Sequence, residues 1–134
     1  MTSSYIHILR CPKKNLKEPL LKYVNLIYND LGLKKNLCVS FKKIDQDWIV
    51  DELKNNEEVG NQEYNPDYKE HQITVSSTLF ETPKTLFETI IHEIYHCYQF
   101  EKKIYLSEKR AYNAEKKYMK KYFVMFKKEI EENS

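Results

Sequence analysis

Thr85-Leu86-Phe87-Glu88-Thr89-Ile90-Ile91-His92-Glu93-Ile94-Tyr95-His96-Cys97-Tyr98-Gln99-Phe100 is the stretch from which the rest of the chain can be read. It holds His92-Glu93-Ile94-Tyr95-His96, the HExxH pattern. On an α-helix, residues i and i+4 lie one above the other, so both imidazoles can reach a single ion. Glu93 sits about 100° round the helix from His92, close enough to touch a water on that ion without ligating it. Two histidine ligands and a carboxylate base are the working parts of a zinc hydrolase.

The pattern would arise by chance in roughly one chain of this composition in a hundred, so its surroundings decide. Leu86, Phe87, Ile90, Ile91, Ile94, Tyr95, Tyr98 and Phe100 surround it on nearly every side. A helix apolar all round is buried, and buried His and Glu need partners. The competing reading is a core helix with two satisfied histidines and an accidental glutamate.

Working outward, 134 residues suit one domain, 1–134, with a single core. Hydrophobic residues make up 41% and aromatic ones 13%, eleven of them Tyr, which points to a globule packed with rings. A net charge of +2, spread over many Lys and Glu, calls for neither a membrane nor a nucleic acid as partner. Cys11, Cys38 and Cys97 form neither an even disulfide set nor a CxxC pair, which suits a reducing, cytoplasmic setting. The first ten residues lack the basic and apolar regions of a signal peptide, and no segment approaches membrane-spanning length.

The chain before the motif predicts a helix and a small sheet. Residues 5 to 9 form a short strand, in which His7 reads as structural. A helix begins between Asn15 and Pro19, with Asn15 and Glu18 resembling a capping box. Its stripe is Leu16, Leu20, Val24, Ile27 and Leu31, and Gly32 closes it. Leu37 to Ile44 reads as a strand with Leu37, Val39 and Phe41 on one face. Trp48 to Leu53 fits a strand or a helical turn, and a further short strand falls around Glu57 to Tyr64. His71 to Ser76 alternates, placing Ile73 and Val75 in the core and Thr74 and Ser76 outside.

Thr82-Pro83 predicts an N-cap with proline at the first helical position. After a break near residues 104–106, Ser107 caps a last helix from Glu108 to about Ile130. Ala111, Ala114, Tyr118, Tyr122, Met125 and Ile130 are its buried stripe. The fold class is therefore α+β: an N-terminal helix, a small mixed or antiparallel sheet, the HExxH helix and a C-terminal ligand-bearing helix.

A catalytic zinc requires a third protein ligand and an open position. Glu101 follows His96 on the same helix but points away from both imidazoles. Glu108 is better placed, because it opens the next helix after a turn that could fold that helix back. Glu108, Tyr112 and Glu115 then share a face at i, i+4 and i+7, with Ala111 and Ala114 small enough for close helix approach. A first-turn glutamate favoured by the helix dipole is the plainer reading of Glu108.

HExxH followed on the next helix by Glu108-Lys109-Arg110-Ala111 resembles the gluzincin arrangement of zinc metallopeptidases. With Tyr112 and Glu115 included, the string is similar to small single-domain, minigluzincin-like proteins, over residues Ile73 to about Tyr118. The resemblance implies a zincin-like fold in which His92, His96 and Glu108 bind Zn2+ and Glu93 is the general base. Larger relatives often carry Asp directly after Glu-x-x-Ala. Tyr112 stands there in this chain, which leaves Glu115 and His71 as rival third ligands.

The expected activity is hydrolysis of a peptide bond in a protein or peptide substrate. Tyr112 and His71 are the candidates for stabilising the oxyanion. In relatives, an edge strand just before the motif helix pairs with an extended substrate. His71 to Ser76 occupies that place, making Ile73, Thr74 and Val75 the expected substrate-binding residues. One alternative is a zinc-binding domain that serves as a binding or regulatory module without catalysis. Another is a Spartan-like DNA-associated protease using Lys116, Lys117, Lys120, Lys121, Lys127 and Lys128. Glu115, Glu129, Glu131 and Glu132 interrupt that basic run, as on an ordinary solvated helix face.

Overall fold

The computed structural model describes residues 5–43, 60–65, 70–105 and 107–132. Strand β1 (Ile6–Leu9) leads through a short 3-10 turn to helix α1 (Lys17–Asp30) and strand β2 (Asn36–Lys42). Strands β3 (Gly60–Asn65) and β4 (Glu70–Ser76) precede helix α2 (Pro83–Glu101) and helix α3 (Glu108–Glu132). The strands form one mixed sheet in the order β1-β2-β4-β3. β1, β2 and β4 run parallel, and β3 is antiparallel to β4. The expected element around Trp48 to Leu53 lies outside the described residues.

Alternation decides which face of the sheet is covered. Ile6, Ile8, Leu37, Val39, Phe41, Ile73 and Val75 point to one side and belong to the same core as the helices. His7, Cys38 and Gln72 align across the other side. Ser76 departs from the expected alternation: it is fully buried, because its hydroxyl accepts the Thr78 backbone N–H where the strand turns into a 3-10 segment.

β4 is also not the open edge that the sequence reading required. β2 and β3 occupy its two hydrogen-bonding sides, and Ile73 and Val75 are fully buried. Ile73, Thr74 and Val75 therefore have no free backbone edge to offer a substrate. Among the described residues that edge belongs to β3, whose polar sequence does not advertise it.

The helix boundaries follow local chemistry with two exceptions. Gly32, at φ +69°, ends α1 in a Schellman motif: its N–H donates to Asn29 and that of Leu33 to Tyr28. Ser107 caps α3, its hydroxyl accepting the Arg110 N–H at 3.2 Å. Asn15, however, does not cap α1. It lies within the 3-10 turn Lys14–Leu16, which places Leu16 at the cap. Thr82 does precede Pro83 at the start of α2, but its hydroxyl donates back to the Leu79 carbonyl.

Aromatic rings knit the three helices together. Phe87 of α2 stacks on Phe126 of α3 at 4.5 Å between centroids, and Tyr23 of α1 meets both edge-on. Tyr118 donates to Asp30 at 2.6 Å, tying α3 to the end of α1. The buried stripe of α3 continues from Tyr122 to Phe126 at strict four-residue spacing. Met125, expected there, is 49% exposed. Nor is α2 buried all round: Tyr95 and Tyr98 are half-buried and Phe100 is exposed near the end of the helix. Among the described residues no helix is long and apolar enough to cross a membrane, and the three cysteines are free.

Candidate metal centre

His92 and His96 lie one turn apart on α2, with ring centroids 4.7 Å apart and planes nearly perpendicular. Both are buried, as is Glu93 between them in sequence. Packing alone would leave three polar side chains to be satisfied in an apolar helix. Partners for the two histidines come from α3, which the capped turn at Ser107 folds back along α2, and from Gln99 of α2 itself. Ala111 is fully buried and Ala114 nearly so, as small residues at a close helix contact must be.

The Glu108 carboxylate meets both imidazoles at once. His92 Nε2 lies 2.8 Å from one of its oxygens, and His96 Nε2 lies 3.1 Å from the other. Its side chain is 63% exposed, so the group is open to solvent on this side. His92, His96 and Glu108 present ligand atoms within 4.8 Å of one another.

The outer nitrogens are held just as definitely. His92 Nδ1 donates to Glu115 Oε2 at 3.2 Å, and His96 Nδ1 donates to Gln99 Oε1 at 2.9 Å. The amide of Gln99 is oriented by its own Nε2, which donates to the Ser107 carbonyl. With each Nδ1 engaged from behind, each Nε2 faces the Glu108 carboxylate on the inner side. Two imidazole nitrogens and a carboxylate grouped in this way are a donor set that a divalent metal fits.

Glu108, Tyr112 and Glu115 all reach His92, from three positions on one face of α3. Glu108 takes Nε2, Glu115 takes Nδ1, and the Tyr112 ring lies 4.9 Å from the imidazole at 59°. Glu115 therefore stands behind the histidine, on the side opposite Glu108. His71 is elsewhere: fully buried, it pairs through Nε2 with Glu101 at 2.9 Å. Glu101 also accepts the backbone N–H groups of Lys34 and Lys35, which fastens the end of α2 to the turn before β2. Cys97 is an enclosed core thiol, and burial pushes its pKa well up.

Gln99 is the residue of this centre that sequence reasoning missed. Its signal was available, since it sits three residues beyond His96 on the same helix and ends an otherwise apolar run. Two of the basic residues of α3 are engaged locally: Lys117 and Lys121 lie over the rings of Tyr118 and Tyr122, and Lys121 is 3.8 Å from Asp30. Comparison with protein-family models, curated proteins and solved structures found no match.

Proposed function

We propose that this chain is a zinc-dependent metallopeptidase of the gluzincin type, with His92, His96 and Glu108 as metal ligands. The observation that carries the reading is the shared Glu108 carboxylate on both Nε2 atoms, with both Nδ1 atoms held from behind. Zinc bound there would supply a Lewis acid and a water of lowered pKa. Glu115 and Gln99 fix the ring orientation and tautomer of the two histidines.

Glu93 then acts as general base. It removes the proton of the attacking water and returns it to the departing amine nitrogen, so that the peptide bond is cleaved with no net change at Glu93. Tyr112, packed on His92 and half-exposed, is the side chain best placed to steady the oxyanion. An extended peptide would pair with the outer edge of β3, the antiparallel strand beside α2.

The test is a pair of substitutions. Glu93→Ala should keep the metal and abolish cleavage of unfolded protein substrates, whereas His92→Ala should lose both. Stoichiometric zinc with no cleavage that depends on Glu93 would replace the enzyme reading with that of a zinc-binding module.

A further inference from the structure

A second group of metal-ligating side chains lies on the opposite face of the sheet, away from α2. His7 of β1, Cys38 of β2 and Glu70 of β4 bring an imidazole nitrogen, a thiol and a carboxylate within 4.8 Å of one another. The register explains the meeting. His7 pairs with Cys38, and Glu70 pairs with Asn36, two residues before Cys38 and therefore on the same face. His7 Nε2 is already 3.5 Å from Glu70, and the ring of Tyr5 stands edge-on to the imidazole at 5.0 Å. The Glu70 side chain is only 14% exposed and Cys38 is buried, while His7 leaves one side open.

We propose that His7, Cys38 and Glu70 form a second metal site, for a borderline-soft divalent ion such as zinc, joining three adjacent strands. A thiolate, an imidazole and a carboxylate together select zinc or cobalt over magnesium or calcium. Zinc–ligand bonds of about 2.0–2.3 Å put tetrahedral donors about 3.3–3.8 Å apart. Three protein ligands leave the fourth position to water or to an incoming donor on the His7 side. The ion would also pin β1, the four-residue edge strand, to the middle of the sheet.

This inference is independent of the HExxH centre, and cobalt separates the two. The HExxH cluster contains no thiol, so thiolate-to-cobalt charge-transfer absorption reports only a cysteine site. The intact protein titrated with Co2+ should develop that band, with a second equivalent of metal bound per chain. Cys38→Ser should abolish the band and one equivalent. His7→Ala should weaken binding at this site at least tenfold, and both variants should keep the equivalent at His92 and His96. Absence of the band in the folded wild-type protein would overturn the proposal, as would a band that survives Cys38→Ser. His92→Ala should leave the band in place whatever becomes of the first centre.

Discussion

Gln99 holds His96 from one turn further along the helix: its side-chain oxygen accepts from Nδ1 at 2.9 Å, while its nitrogen donates to the Ser107 carbonyl. One amide thus sets the tautomer of a candidate ligand and ties it to the turn that delivers Glu108. Gln99→Leu should preserve much of the packing and lower zinc affinity by roughly 10–100-fold, the usual effect of losing such a support. A competition titration with a chelating dye reads this directly, and unchanged affinity would show that Gln99 only bridges the turn.

Glu108 and Glu115 touch the same imidazole on its two nitrogens, which predicts an order of effects. Glu108→Ala should weaken zinc binding more than Glu115→Ala does, because the first removes a proposed ligand and the second a proposed orienting acceptor. The reverse order would move the ligand one turn along α3.

The Glu101 clamp gives a pH dependence with a definite sign. Burial alone would raise the Glu101 carboxyl, but His71 and the N–H groups of Lys34 and Lys35 outweigh it and hold the pKa below its ordinary 4.5. A carboxyl depressed in the folded state adds stability above its unfolded value, and that contribution is lost as pH falls through the folded one. Urea denaturation should show the wild type weakening below about pH 4.5. Glu101→Gln should be less stable at pH 7 and have a flatter acid limb. Equal slopes for the two proteins would remove Glu101 from the acid response.

Phe126 is stacked on Phe87 at the junction of the helices and almost fully buried. Phe126→Ala should cost about 3–5 kcal/mol of folding stability. Met125→Ala, at the exposed neighbour, should change stability by less than about 0.5 kcal/mol. Chemical denaturation of the two variants checks the phase of the α3 stripe, and comparable losses would contradict it.

What could be read from the sequence divides by range. The HExxH helix, the Ser107 cap and the Glu108-Tyr112-Glu115 face depend on spacing within a few residues, and helical periodicity displays them. Gly32 was equally legible, because a left-handed closing residue has a local signature. The position of β4 was not, since it depends on β3, a polar strand whose pairing is decided by sheet topology rather than by its own pattern. Met125 and Phe126 are adjacent apolar residues, and only the approach of α1 and α2 decides which turns inward. The role of Glu115 likewise depends on where α3 lies, and the turning of His71 toward Glu101 depends on how β4 packs against the end of α2. The meeting of His7, Cys38 and Glu70 requires the parallel register of three strands distant in sequence.

The most direct measurement is anomalous scattering at the zinc edge from crystals of the purified protein, with the total metal content determined alongside. The expected result is a peak within bonding distance of His92 Nε2, His96 Nε2 and a Glu108 oxygen, absent from His92→Ala crystals. A zinc-replete protein with no peak between those three side chains would contradict the assignment of the centre.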